Sequence, residues 1–237
     1  MLEQPFKITK LFILLSMILY LLVLSAIQYP LTTLLKAIPI ALLMLFTVQI
    51  NPQRQVKTLL LCALGFSLIG DVFLTLPVKI ALQLGILAFM GAHCMYISIF
   101  LKRMRFQRKN LLSFLPILVF VLISFYFLSP HLGEMKKPVA IYLCLLTLMV
   151  FCSFQVKQQS LLIRTGACLF LLSDFVLSLD LFVFSGNKLT AILIMFLYYA
   201  AQFLLVIGIT RPKEQISTIC ATRVNKKTNS NLSKNRI

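Results

Sequence analysis

The chain has 237 residues, of which 60% are hydrophobic and only 12% charged, with a mean hydropathy of +0.96. That balance excludes a soluble globular domain and points to a polytopic membrane protein. A formal charge of +17 would suggest nucleic acid in a soluble chain. Here no nucleic-acid-binding motif is visible and the aromatics lie inside apolar runs, so the charge points to cytoplasmic loops meeting anionic lipid headgroups, with no nucleic-acid partner.

Apolar runs long enough to cross a bilayer follow one another from the N-terminus, separated by polar or Pro/Gly-marked breaks. They cover roughly residues 10–27, 31–50, 56–76, 80–101, 110–128, 138–156, 160–184 and 189–209. The first follows Lys7 and Lys10, but it is longer than a signal-peptide core and no A-x-A site closes it, so it reads as a retained span. The breaks are IQYP, NPQRQ, LPVK, KRMRFQRK, SPHLGEMKK, KQQ and SGNK. The expected fold is therefore an all-α integral membrane protein, with an eight-helix domain over 1–209. Residues 210–237 read as a basic, disordered cytoplasmic tail. Six cysteines (Cys62, Cys94, Cys144, Cys152, Cys168, Cys220) form no CxxC pair and no His-spaced metal pattern; in a span, a thiol behaves as a small apolar group.

Charge sets the orientation. The N-terminus, the connections after spans two, four and six, and the tail carry 18 of the 23 Lys and Arg. Both termini are thus expected in the cytoplasm.

Only six residues are acidic, and three of them, Asp71, Asp174 and Asp180, lie within spans. A carboxylate in a membrane helix costs about 2.5–3.5 kcal/mol on insertion scales, so such a group faces a bundle interior or a wet cavity and marks a functional site by default. The competing reading is an interhelical hydrogen bond that only ties helices together. Other polar groups share these faces. His93 has Tyr96 three residues on, and Gln202 has Tyr198 and Tyr199 four and three residues before it. Ser67 and Ser178 each stand one turn from an aspartate, within reach of either its carboxylate or the helix backbone.

An internal repeat links these positions. ALGFSLIGDVFLTL (63–76) aligns with GACLFLLSDFVLSL (166–179), placing Asp71 over Asp174, and GAHCMYI (91–97) aligns with AAQFLLV (200–206), placing His93 over Gln202. Helices 3–4 and 7–8 would then form a parallel repeat with a shared site at its interface. Asp180 differs. Six residues beyond Asp174 it lies about 120° around the helix and roughly 9 Å along it, which reads as an incidental residue at the rim.

GDVFL, AHCMY, SDFVLSLDLF and YYAAQ, in this order and spacing, resemble the YhhN/TMEM86 family of eight-span membrane proteins, which includes lysoplasmalogenases. The resemblance runs from about residue 35 to 209. It places Asp71, His93, Asp174, Tyr198, Tyr199 and Gln202 on the family's characteristic polar positions, whereas relatives more often carry Asn or another residue at Asp180. The basic tail has no counterpart. The resemblance implies hydrolysis of the vinyl ether bond of a lysoplasmalogen, giving a fatty aldehyde and glycerophosphoethanolamine or glycerophosphocholine. No metal or other cofactor is implied.

Such a bond breaks when its β-carbon is protonated and water adds to the resulting oxocarbenium ion. The chemistry needs a carboxylic acid that still carries its proton near neutral pH, and an anionic group that stabilises the cation and activates water, as in glycoside cleavage. Asp71 and Asp174 are the expected pair, in either order. His93 would orient water or contact phosphate, and Tyr96, Tyr198, Tyr199 and Gln202 would line a lysophospholipid substrate.

The main rival is a proton-coupled carrier using the same Asp and His residues, which interrupted helices in the paired spans would favour. A lipid-sensing scaffold would use the basic tail instead. A retinal-type receptor is disfavoured because no Lys lies deep in a late span. The expected location is a cell or inner membrane in a bacterium and the endoplasmic reticulum in a eukaryote. Nothing in the sequence sets an oligomeric state.

Overall fold

The computed structural model describes residues 3–50, 53–157, 160–184 and 186–211. Within them the chain forms eight α-helices: α1 (Glu3–Val23), α2 (Leu31–Gln49), α3 (Arg54–Thr75), α4 (Ala81–Leu101), α5 (Arg108–Leu128), α6 (Lys136–Gln155), α7 (Ser160–Phe182) and α8 (Lys188–Thr210). Two single 3-10 turns, Ser129–His131 and Gly133–Met135, join α5 to α6. Helices α2 to α8 are each long and apolar enough to cross a membrane, and the apolar part of α1, Ile8–Val23, is shorter. The protein is an all-α integral membrane protein. Cys220 and the basic tail from residue 212 onward lie outside the described residues.

The bounds of α2 to α8 agree with the apolar runs to within two residues. The first helix differs at both ends, starting at Glu3 rather than near residue 10 and ending at Val23 rather than near residue 27. Leu24–Tyr29 precede Pro30, which offers no backbone N–H and disfavours helical geometry in the residue before it. The chain accordingly leaves the helix in a turn, with the Ala26 and Ile27 N–H groups both donating to the Val23 carbonyl.

The most extensive helix contacts are α3 with α4 and α7 with α8, the two pairs that the repeat equates. Small residues allow both approaches, as expected where packing rather than water drives association. A Cβ on Gly70 would lie 2.7 Å from the Phe89 ring of α4, and one on Gly208 of α8 would lie 2.8 Å from Ile163 of α7. Helix α8 is the most buried of the seven long helices and α5 the least. Leu11, Phe12, Leu15 and Leu22 of α1, and Leu112, Leu122 and Ile123 of α5, point outward, a surface suited to acyl chains.

At one end of the bundle, basic side chains close helix C-termini. Arg103 donates to the Ile209 carbonyl at 2.8 Å and Arg164 to the Phe154 carbonyl at 2.7 Å. Cations at those positions satisfy carbonyls that have no partner within the helix and oppose the negative end of its dipole. This is the end that the charge asymmetry assigns to the cytoplasm. The repeat's two aspartates lie toward the other end, while His93 and Gln202 stand just past the middle of α4 and α8.

Candidate functional site

Asp71 sits one turn before the end of α3 and is 2% exposed. Its Oδ1 lies 3.2 Å from Nζ of Lys36, and its Oδ2 accepts a 2.7 Å hydrogen bond from the Tyr198 hydroxyl. Lys36 is on α2, which runs antiparallel to α3, so the sixth residue of one helix meets the fifth from the end of the other. The Tyr199 hydroxyl donates to the Lys36 carbonyl at 3.0 Å. Three helices, α2, α3 and α8, therefore converge on one buried ion pair. A charge buried here is tolerated because its partner is buried with it. Lys36 was not among the sequence-derived site residues, although a lysine inside an apolar run is itself a signal of an intramembrane partner.

Behind this pair stands a neutral network. The Gln202 amide donates to Ser67 Oγ at 3.0 Å and accepts from the Tyr96 hydroxyl at 2.6 Å; its N–H group also lies 3.4 Å from the Tyr198 oxygen. Ser67, Tyr96 and Gln202 are all fully buried. Ser67 thus bonds Gln202 across helices rather than the carboxylate one turn away. Ser178 donates to the Asp174 backbone carbonyl at 2.8 Å.

Asp174 of α7 has different company. The Tyr142 hydroxyl of α6 donates to its Oδ2, and the same hydroxyl lies 3.0 Å from Nε2 of His93 on α4. No cation pairs with Asp174 among the described residues. His93 is fully buried and packs against the Phe170 ring with centroids 4.9 Å apart. Phe170 and Phe89 both contact the Tyr198 ring, at 5.6 and 5.9 Å, so an aromatic wall separates His93 from Asp71. Tyr142 was missed from sequence: it follows the interfacial run KKPVAI and lies outside the repeat.

Both aspartates line one cavity of about 240 Å³, together with Lys36, Tyr198, Thr32, Thr75 and a set of aliphatic side chains. The cavity lies where α1, α3 and α7 end and α2 and α8 begin, opposite the arginine-capped end. A smaller space of about 50 Å³ adjoins it, sharing Leu74, Phe89, Asp174, Leu177 and Leu181 and reaching Leu82 and Ile86 of α4 and Tyr142 of α6. His93, Tyr96, Tyr199 and Gln202 stand behind the wall of the main cavity rather than on it.

Asp180 also lines the cavity, which corrects its reading as incidental. Ser173, Asp174, Leu177, Asp180 and Leu181 of α7 all border it, so the lining spans more of the helix circumference than the Asp174 face alone and takes in a residue about 120° away. Asp180 additionally holds the α7–α8 turn. Its Oδ1 accepts from the Asn187 backbone N–H at 3.1 Å and from the Thr190 hydroxyl.

Fold and site together define a polytopic membrane protein with two intramembrane aspartates, one paired with lysine and one with tyrosine, facing a common chamber. The chain belongs to the YhhN family, whose sequence profile matches residues 31–209, from the first residue of α2 to the last turn of α8. Among curated proteins, lysoplasmalogenase TMEM86A of Bos taurus is 31% identical over 168 residues, covering 67% of this chain and 68% of that protein. No solved structure matches.

Proposed function

We propose that this protein is a membrane-embedded hydrolase that cleaves the vinyl ether bond of a lysoplasmalogen or related ether lysolipid, without a metal. One observation carries the reading: two aspartates with unlike partners face one chamber, in a chain similar to a protein named lysoplasmalogenase. The chamber would hold the glycerol and ether region of the substrate, with the alkenyl chain directed along the apolar branch toward α4 and α6.

The partners divide the labour. Asp71, bonded to Lys36 and Tyr198, is suited to remain an anion and to stabilise the oxocarbenium ion. Asp174, bonded to a neutral phenol, is suited to deliver the proton to the β-carbon. Water adds to the cation, and the hemiacetal collapses to a fatty aldehyde and a glycerophospho-base. Lys36 is bound to Asp71, so its charge is matched before substrate arrives. The helices of the repeat, α3, α4, α7 and α8, are continuous, without the interrupted segments that carry sites in many carriers, which favours the hydrolase over a proton-coupled transporter.

The test uses detergent-purified protein given a vinyl-ether lysolipid and an ester lysolipid in parallel. Aldehyde release from the first alone is expected. Asp174→Asn and Asp71→Asn, each shown to be folded by size-exclusion profile and helical content, should lose roughly 100- to 10,000-fold in kcat, the range of acid–base contributions. Wild-type turnover in both folded variants would sink the mechanism, and no turnover by the parent protein would sink the reading.

A further inference from the structure

Tyr142 and His93 lie outside the steps just described, and their hydrogen atoms can be accounted for. A tyrosine hydroxyl has one proton to give. When Asp174 is ionised it can only accept, so the Tyr142 proton is committed to its Oδ2. His93 Nε2, 3.0 Å from the same phenolic oxygen, must then be the donor, and neutral His93 carries its hydrogen on Nε2. The other ring nitrogen, Nδ1, is buried without a hydrogen-bond partner among the described residues. A bare acceptor there is less costly than an orphaned N–H, a kind of group rarely found unpaired in protein interiors. Both ends of the chain thus require the same tautomer, and the bond made by one nitrogen sets the state of the other.

This direction has a consequence at Asp174. Because Oδ2 is held as an acceptor, a proton carried by this carboxyl resides on Oδ1. That oxygen has no protein partner among the described residues, and Asp174 borders the chamber. We propose that His93 and Tyr142 are positioning residues forming a one-way donor chain, His93 Nε2–H to Tyr142 O–H to Asp174 Oδ2, which presents Oδ1 as the proton-delivering oxygen. The catalytic consequence rests on the hydrolase reading; the direction of the chain does not.

The proton balance closes. The Oδ1 proton passes to the β-carbon, where the vinyl π pair forms the new C–H bond. The carboxylate left behind keeps its Tyr142 bond at Oδ2. Water adding to the oxocarbenium ion releases one proton, which returns to Oδ1. Internal proton transfer in the hemiacetal then breaks the C–O bond to glycerol and leaves the aldehyde. Two neutral donors in series stabilise the carboxylate at the moment it forms, without the permanent cation that Lys36 supplies to Asp71.

The titratable or charged groups around this segment of α4 are Tyr142 of α6, Asp174 of α7, Asp71 of α3 and Tyr198 of α8, with Lys36 of α2 beyond Asp71. Tyr96 lies one turn along α4 itself.

Three variants and one spectrum test the chain. Tyr142→Phe and His93→Leu should each lower kcat roughly 10- to 100-fold, the scale of one hydrogen bond to a charged group, with KM changed less than about twofold. His93→Gln places an amide N–H within reach of the same phenolic oxygen and should recover most of kcat. Equal loss in His93→Gln and His93→Leu, or wild-type kcat in Tyr142→Phe, would overturn the proposal. In ¹⁵N-histidine-labelled full-length protein carrying His131→Gln, His93 should give the Nε2–H tautomer at neutral pH, and Tyr142→Phe should mix the two tautomers. A dominant Nδ1–H tautomer overturns the chain whatever the activity. The Nε2–H form in a protein that cleaves no ether lysolipid would support the chain and remove the hydrolase instead.

Discussion

The two carboxylates occupy equivalent places in the repeat, yet their surroundings are opposite in kind. Asp71 of α3 meets a lysine and a tyrosine; Asp174 of α7 meets only a tyrosine, itself backed by histidine. In each case the bond comes from outside the aspartate's own helix pair. Tyr198 on α8 reaches Asp71, and His93 on α4 reaches Asp174 through Tyr142. Two acids aligned in the sequence thus face one chamber, and three residues, Lys36, Tyr142 and His93, make them chemically unlike. In a low-dielectric interior that is sufficient, because each neighbouring charge or donor counts for far more than in water.

The most severe way to break this asymmetry is to remove the cation. Lys36→Met leaves Asp71 buried and unpaired, which should destabilise the protein by about 3–5 kcal/mol if Asp71 stays ionised. The double variant Lys36→Met/Asp71→Asn has no buried charge to strand and should recover most of the thermal stability in detergent while remaining inactive. A double variant as unstable as the single one would mean that the loss comes from the ion pair's own hold between α2 and α3 rather than from a stranded charge.

A smaller effect is expected behind the pair. Gln202→Leu removes partners from Ser67 and from the Tyr96 hydroxyl, leaving buried polar groups unsatisfied at a cost of about 1–3 kcal/mol. The loss should appear in thermal melting more than in kcat, since Gln202 stands behind the cavity wall. A stable protein with a collapsed kcat would place Gln202 in the chemistry and redraw the boundary between site and support.

Much of this was legible in the sequence, for a definite reason. A polar side chain in an apolar run is expensive, so Asp71, Asp174, His93 and Gln202 stood out, and the repeat bound them in pairs. Helix bounds followed from the same contrast, failing only at α1, where the Pro30 turn cuts short a run that is apolar to Ile27. Lys36 escaped because it lies near a span start and counts equally well as an interfacial charge. Tyr142 escaped because tyrosine is ordinary near a membrane surface and α6 has no copy in the repeat. Tyr96, Tyr199 and Gln202 share a face with the site, as their spacing required, but periodicity cannot tell the layer that lines a cavity from the layer that props it. That depth is set by how closely helices approach, and here glycines against Phe89 and Ile163 set it.

Asp180 is the gentlest probe of the comparison, since it borders the same chamber without belonging to the repeat. Its Oδ1 fastens the α7–α8 turn through the Asn187 N–H and the Thr190 hydroxyl, a task for an acceptor rather than for a charge. Asp180→Asn retains an acceptor oxygen and should stay within about 0.5 kcal/mol of the parent, whereas Asp180→Ala should lose about 0.5–1.5 kcal/mol. Both should turn over substrate within roughly threefold of the parent rate, a shift under 1 kcal/mol. If Asp180→Asn melts normally but loses turnover, the charge at this position acts on the substrate, and the chamber would hold three working carboxylates instead of two. Equal stability for Asn and Ala would show instead that the turn does not need its fastening, leaving the carboxylate's place on the chamber wall as the only reason for its presence.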